Sequence, residues 1–419
     1  MKTYAMMVLG CKVNDYEATY VREKLNRSYQ EVDFKEKADI YIIFTCCVTN
    51  TAESKTRKFL HDARRNNPDA YIVAVGCMSQ IKGDSSDFDD ADLLIGSDQK
   101  DKMIDLILNE TKGSRVHEKI STEFEELFVE SYPKKSRAFL KIQDGCNQFC
   151  SYCIIPYARG RQRCARHEDV LKQAEILART NKEIVLTGIH TGRYDDGEYD
   201  LHHLLKDLVQ IEDLHTIRIS SIEMNEVTDE IIGLMKENNK IAHHLHVPVQ
   251  ALNDTILSKM NRPYTLEEYI ERISFIHEQI PGISIGTDLI VGFPYETDEI
   301  FEEYLDALKK IRFAFVHVFP YARKKGTVAD TFDHQIDNHK KKERVRQIID
   351  LQQKLTKEHK KTFIGKTVKV LIERNDEDCS YGYSREYIYT KVPGIYPVGE
   401  IINVTIESAE NEVIAYVAE

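Results

Sequence analysis

Three cysteines share one short loop, as Cys146-x3-Cys150-x2-Cys153. Three thiolates at that spacing can hold three irons of a [4Fe–4S] cluster and leave the fourth iron open to a small molecule. The alternative is structural zinc with Cys164 as the fourth ligand. Zinc sites usually pair C-x2-C units, so the spacing favours iron. Three further thiols, Cys11, Cys46 and Cys77, lie 35 and 31 residues apart, each just after an apolar run. Taken alone they read first as ordinary buried thiols. Beside the triad, their placement suggests metal chemistry. Cys47, Cys164 and Cys379 complete the nine. Nine cysteines in a cytoplasmic chain of this size do not suggest a disulfide framework.

The elements that must position these residues follow from hydrophobic periodicity. Apolar runs at 3–9, 40–45, 70–76 and 93–95 are interleaved with helical patterns at 15–28 and 51–66. Ile40-Tyr-Ile-Ile-Phe44 and Tyr71-Ile-Val-Ala-Val75 are apolar throughout, as parallel strands covered on both faces are. The alternation predicts an open α/β sheet. Ligands bind such sheets beyond the carboxyl ends of the strands, where Cys11, Cys46 and Cys77 each fall. The three thiols can therefore meet at one point. Residues 111–136 are polar, carry Lys134-Lys135 and read as a linker.

A second strand–helix series begins at Arg137, with strands expected near 138–143, 183–187, 215–220, 243–247, 283–291 and 313–319. Six parallel units predict a partial (β/α)6 barrel with functional groups at its strand ends. Residues 337–361 carry nine Lys or Arg against four Asp or Glu and are expected to form a solvated linker helix. Short strands after Phe363 predict a small β-barrel. The expected domains are residues 1–130, 131–361 and 362–419, all within an α/β fold class.

The formal charge is −12, with 42% hydrophobic and 30% charged residues, a mix that argues against wholesale disorder. No transmembrane run is visible, and the opening MKTYAMMVLGC is too short for a secretory signal, so the cytoplasm is the expected location. The acidic balance excludes a chain coated in positive charge, yet nucleic acid needs only a local basic patch. Trp is absent, so stacking on bases would fall to Tyr, Phe or Arg.

C-x3-C-x2-C after the first strand of a βα barrel, with Tyr152 before the last cysteine, resembles the radical S-adenosylmethionine superfamily. The longer run Cys146-Asn-Gln-Phe-Cys-Ser-Tyr-Cys-Ile-Ile-Pro-Tyr-Ala-Arg-Gly160 resembles its methylthiotransferase branch. Gly10-Cys11-Lys12-Val13-Asn14 is similar to the form typical of threonylcarbamoyladenosine tRNA methylthiotransferases of the MtaB class. Isopentenyladenosine enzymes usually show GCQMN there, and ribosomal-protein enzymes GCPKN. Thr45-Cys46, Val48-Thr49-Asn50-Thr51 and Gly76-Cys77 match the remaining cysteine motifs, and the last barrel resembles a TRAM domain. The resemblance covers nearly the whole chain.

That resemblance implies that Cys146, Cys150 and Cys153 hold the cluster that binds S-adenosylmethionine. It implies a second [4Fe–4S] cluster on Cys11, Cys46 and Cys77, with Cys46 rather than Cys47 as ligand, supplying or carrying the transferred sulfur. Cofactor contacts are implied at Tyr152, Thr187, Gly188, Ser221, Glu223 and Phe319. The implied activity is methylthiolation at C2 of N6-threonylcarbamoyladenosine, next to the anticodon in tRNA. The implied partners are tRNA and an electron donor such as flavodoxin or ferredoxin, with the enzyme acting as a monomer away from membranes. Two alternatives are the same chemistry on isopentenyladenosine or on a ribosomal-protein aspartate. An alternative of another class is a non-catalytic iron–sulfur module that binds RNA. Phe44, Cys47, Cys164-Ala165, Met224, Ala251-Leu252 and Tyr295 depart from the family pattern, and none is an expected ligand.

Arg159, Arg161, Arg163 and Arg166 follow the cluster loop, and Arg323-Lys324-Lys325 follow the last barrel strand. Guanidinium groups suit phosphates and carboxylates, often bidentately. Arg159, Arg161, Arg163, Arg323 and Lys324 are therefore expected to grip the anticodon backbone or a substrate carboxylate. Residues 362–419 hold five basic and ten acidic side chains, so the last barrel is expected to offer one restricted patch, around Tyr383, Arg385 and Lys391. His246 reads as a satisfied core histidine.

Overall fold

The computed structural model describes residues 1–116, 119–133, 135–410 and 412–418; Lys134 lies outside them. The first unit runs β1 (Thr3–Val8), α1 (Lys12–Leu25), β2 (Gln30–Glu31), β3 (Ile40–Thr45), α2 (Asn50–Asn66), β4 (Tyr71–Gly76), α3 (Cys77–Lys82), β5 (Leu93–Ile95), α4 (Lys100–Leu108) and β6 (Ser114–Val116). All six strands are parallel, in the order β2-β1-β3-β4-β5-β6. Every residue of β3 and β4 is buried, which is why both segments are apolar without alternation. The strand order reverses between β1 and β3, and that switch point opens a crevice at the strands' carboxyl ends. Cys11 follows β1 and Cys46 follows β3, so the two thiols flank it.

The second unit comprises β7 (Arg137–Lys141), β8 (Gln143–Asp144), α5 (Ile155–Arg159), β9 (Arg163–Cys164), α6 (His167–Ala178), β10 (Glu183–Thr187), α7 (Leu201–Leu208), β11 (Thr216–Ile219) and α8 (Asp229–Glu237). It continues through β12 (His244–His246), α9 (Asp254–Lys259), α10 (Leu266–Gln279), β13 (Ser284–Val291), α11 (Asp298–Lys310) and β14 (Phe315–Pro320). Strands β7, β10 and β11 pair in parallel, as do β12, β13 and β14. Bridges Ile217–Ile241 and Ser221–His246 join the two halves. The result is a six-stranded partial barrel in sequence order, with β7 and β14 at its free edges. Asp200, Thr228, Asn253, Thr265 and Thr297 each accept an N-terminal backbone N–H of the following helix, which sets where those helices begin.

Two stretches behave differently from their composition. The expected linker supplies strand β6, and its Leu127, Val129 and Tyr132 are buried in a core shared by the first two units. Helix α12 (Asn338–Lys361) is not a freely solvated connector: it packs along β14 with Lys341, Arg344, Ile348 and Gln352 buried. Arg344 is held there by Glu296 at 2.7 Å and Asp298 at 2.8 Å. A charged pattern conceals this seat because the cations are paired within the protein.

The last unit is a closed barrel of β15 (Thr367–Asn375), β16 (Cys379–Ser384), β17 (Tyr389–Pro393), β18 (Ile401–Ala409) and β19 (Val413–Val417), in the order β15-β16-β17-β19-β18. Strand β16 escapes sequence reading because its inward residues Ser380, Gly382 and Ser384 are small rather than apolar.

Candidate active site between two sets of thiols

The loop carrying Cys146, Cys150 and Cys153 hangs from the β8–β9 pair. Gly145 adopts φ +70°, and a Cβ there would meet the Arg161 carbonyl oxygen at 2.0 Å, so the turn into Cys146 requires glycine. The Cys146 N–H donates to the Gly160 oxygen at 3.1 Å. All three thiols line one cavity of about 220 Å³ with Tyr152, Ser221 and Glu223. Two cations address the sulfurs. His190 Nδ1 lies 3.3 Å from Cys146 Sγ, and its Nε2 lies 2.7 Å from Glu226. Burial opposes the charged imidazole, but the Cys146 sulfur and the Glu226 carboxylate outweigh it and push the His190 pKa up to about 10. Arg262 donates to Cys150 Sγ at 3.6 Å and to Tyr264 and Glu223. Glu223 is thus a salt-bridged carboxylate at the cavity wall. Neither His190 nor Arg262 was found from sequence, since no spacing connects them to the cysteines.

The other implied cofactor contacts separate into two groups. Ser221 lines the thiol cavity, and Tyr152 lies between that cavity and a neighbouring one of about 260 Å³ bordered by Phe319. Thr187 is buried, and a Cβ on Gly188 would meet the Gln143 side chain at 2.8 Å. The close approach at Gly188 is therefore to protein, and the next residues, Ile189 and His190, face the cavity instead.

The first unit brings its thiols together at the sheet's carboxyl edge. Cys11 occupies the N-cap of α1 without a side-chain capping hydrogen bond. A Cβ on Gly10 would lie 3.3 Å from Cys46 Sγ, so the loop after β1 rests on Cys46. Cys77 opens α3, and Arg159 Nε donates to its sulfur at 3.3 Å. A hydrogen bond from Cys47 and the Arg159 charge bring the Cys77 thiol down to about 6 despite burial. Burial pushes the Cys46 and Cys153 thiols up to about 12. A set of three thiols with a cation at one or two of its sulfurs suits an anionic iron–sulfur group at each position.

Arg159 also requires a correction. It is fully buried, with Nη1 2.8 Å from Glu17 and 3.1 Å from Asp144, and Nη2 2.7 Å from Asn14. Lys141 bridges the same two carboxylates at 2.8 and 2.7 Å, and Lys100 reaches Glu17 at 3.2 Å. These cations hold the Glu17 and Asp144 carboxyls well below the usual range, although burial opposes it. Arg163 is buried against Asp144, and Lys324 against Glu53 at 2.7 Å. Arg159 and Arg163 are therefore committed inside the protein, and Lys324, although paired with Glu53, also lines two cavities. Arg161 and Arg323 remain exposed, Arg161 over the Phe149 ring at 4.5 Å and Arg323 beside Asp330 at 2.6 Å. Arg385 is likewise taken up, donating to the Ile241 carbonyl at 2.9 Å.

Between the thiol sets lies a cavity of about 730 Å³. Cys11, Ser221, Asp288 and Phe319 border it, and the last barrel closes it with Glu373 and Tyr387. Asp288 Oδ1 sits 3.2 Å from His246 Nε2 and 3.5 Å from His317 Nδ1, so His246 is a cavity residue rather than a core one. A row of rings leads in from the last barrel. Tyr383 stacks on Tyr387 at 4.5 Å, Tyr387 on His244 at 4.3 Å, His244 on Phe315 at 5.7 Å and Phe315 on His246 at 6.0 Å.

A thiol triad on a loop after the first strand of an open parallel barrel is the arrangement of radical S-adenosylmethionine proteins, and residues 140–308 match the family model described as the Radical SAM superfamily. Residues 3–96 match the model described as Uncharacterized protein family UPF0004. The threonylcarbamoyladenosine tRNA methylthiotransferase MtaB of Bacillus subtilis is 37% identical over 98% of this chain and 94% of that protein. Its counterpart in Aquifex aeolicus is 35% identical over 96% of this chain and 99% of that protein. The tRNA-2-methylthio-N(6)-dimethylallyladenosine synthase of Thermodesulfovibrio yellowstonii is 34% identical over 95% and 94%. Among solved structures, the radical S-adenosylmethionine methyltransferase TsrM of Kitasatospora setae shares the fold, with a TM-score of 0.58 at 14% identity over 78% of this chain and 74% of that one. The chain belongs to the radical S-adenosylmethionine methylthiotransferase family, whose cofactors are S-adenosylmethionine and [4Fe–4S] clusters. No helix among the described residues is long and apolar enough to cross a membrane.

Proposed function

We propose that this enzyme replaces the C2 hydrogen of N6-threonylcarbamoyladenosine in tRNA, next to the anticodon, with a methylthio group. Cys146, Cys150 and Cys153 would hold the cluster that binds S-adenosylmethionine, and Cys11, Cys46 and Cys77 a second cluster. When bound, these groups supply a carbon-centred radical and the sulfur and methyl that are transferred; an unactivated C–H bond is beyond ordinary acid–base catalysis.

One observation carries the reading: Ser221 and Asp288 line both the thiol cavity and the larger cavity that Cys11 borders. A base held in the larger space would border Cys11 and share the Ser221 and Asp288 walls with the cavity of the other thiols. His190 and Arg262 orient two of the triad's thiols and balance their negative charge. Tyr152 and Phe319 wall the cofactor side, and a target base must leave its stack to enter, as bases do in enzymes that act on them. The ring row ending at His246 offers the partners for stacking that the absence of Trp leaves to other residues. The names of the Bacillus and Aquifex relatives support threonylcarbamoyladenosine over isopentenyladenosine.

Mass spectrometry of tRNA nucleosides from cells with and without the gene tests this. The methylthio-threonylcarbamoyladenosine peak should vanish on deletion and return with the wild type but not with Cys146→Ala. An unchanged peak on deletion would overturn the substrate, and loss of the methylthio-isopentenyladenosine peak instead would move the same chemistry to that nucleoside.

A further inference from the structure

The charges around the 730 Å³ cavity are paired with one exception. Arg218 is held by Glu183 at 2.8 and 3.2 Å, and Arg137 by Glu183 at 3.7 Å and by Glu373. Lys135 pairs with Asp15, and Asp288 sits between His246 and His317. Lys12 lines the same cavity, directly after Cys11 and at the start of α1, and among the described residues it has no carboxylate partner. It lies within electrostatic reach of Arg137 and Arg218, and of Asp288, which His246 and His317 already hold. Three cations therefore converge on a space whose carboxylates are already engaged. Lys12 is itself exposed, and its place in the lining of this cavity is what sets it apart from other surface lysines. A positive charge with no carboxylate partner in the lining of a cavity favours a ligand that carries a negative charge there.

We propose that Lys12 is the specificity-determining residue that pairs with a carboxylate carried by the substrate base, in effect selecting an adenosine bearing an amino-acid substituent over one bearing a neutral hydrocarbon. This rests on the reading that the cavity receives a modified tRNA adenosine. A threonylcarbamoyl group ends in one carboxylate, whereas an isopentenyl group has none and would leave the ammonium unpaired. The other anion on the same RNA is a backbone phosphate, which would be indifferent to the modification.

Binding by the cluster-loaded enzyme separates these sources. The affinity of wild type and Lys12→Gln is measured, by fluorescence anisotropy, for one tRNA carrying threonylcarbamoyladenosine and for the same tRNA carrying unmodified adenosine. Lys12→Gln should weaken binding of the modified tRNA about tenfold to a hundredfold, the range of a charge-assisted contact, and leave the unmodified tRNA unchanged. Lys12→Arg should restore most of the loss, and KM should rise in Lys12→Gln more than kcat falls. Because Lys12 adjoins Cys11, a ligand-side measurement runs beside the variants. The free nucleoside should compete with the modified tRNA on wild type at least tenfold better than its carboxylate methyl ester. Equal loss on both tRNAs would assign Lys12 to a phosphate and overturn the proposal, as would no loss or an ester that competes equally well. If wild type binds with this preference but never methylthiolates that nucleoside, the substrate reading fails while the carboxylate contact stands.

Discussion

Cys46 and Cys47 are neighbours in the chain with different surroundings. Cys46 lies under Gly10 at the crevice between β1 and β3, whereas Cys47 is buried in the same apolar cluster as Cys77 and hydrogen-bonds to it. Iron content discriminates between them. The anaerobically reconstituted wild type should carry about eight irons per chain, two four-iron clusters. Substituting Cys11, Cys46 and Cys77 together by Ala should leave about half, and Cys47→Ala should retain nearly all. Full iron in the triple variant would show the second cluster to be elsewhere. Other residues were invisible to spacing. His190 and Arg262 touch the triad's sulfurs only because the loops after β10 and α9 fold back over it. Tyr295, which departs from the family pattern, adopts φ +71° with Lys259 3.7 Å from its ring centre.

At the scale of elements, the two thiol sets are tied by a buried charge network. Glu17 on α1, Lys141 at the end of β7, Asp144 on β8 and Arg159 on α5 form one cluster, and α5 packs on α3, which begins with Cys77. Asp144 stands two residues before Cys146, so the network connects one thiol set to the other through a handful of side chains. Removing one partner leaves the rest charged and buried, which typically costs about 3–5 kcal/mol. Arg159→Ala should therefore lower the midpoint of urea unfolding, whereas Arg161→Ala should leave it almost unchanged. Similar midpoints for both would mean that the network is slack. Sequence reading recognised the arginine run but assigned it by position alone. Burial distinguishes its members: Arg159 at the end of α5 and Arg163 on β9 both turn inward, and Arg161 in the bend between them is exposed.

For the whole molecule, the −12 charge means that a polyanion must be met by a local cluster of cations rather than by the surface at large. Arg159, Arg163, Lys324, Lys341 and Arg344 are engaged internally, and Arg161 and Arg323 remain at the surface. Affinity for tRNA should fall with salt, and Arg161→Ala or Arg323→Ala should each reduce the log–log salt slope by about one if the residue meets a phosphate. An unchanged slope in both variants would place the RNA on another face. The amino-acid sequence by itself determined the strand–helix alternation, the apolar strands of the first sheet, the six parallel units and the cysteine motifs. Those features are local, being periodicity within one element or spacing within one loop. Only the tertiary structure decided which cations are buried, that the supposed linker is core, that α12 seals β14, and that a row of rings from the last barrel leads to the cavity between the thiols. Those depend on which distant segments meet. Pairing a charge or stacking a ring costs and gains energy in three dimensions, and no one-dimensional pattern records it.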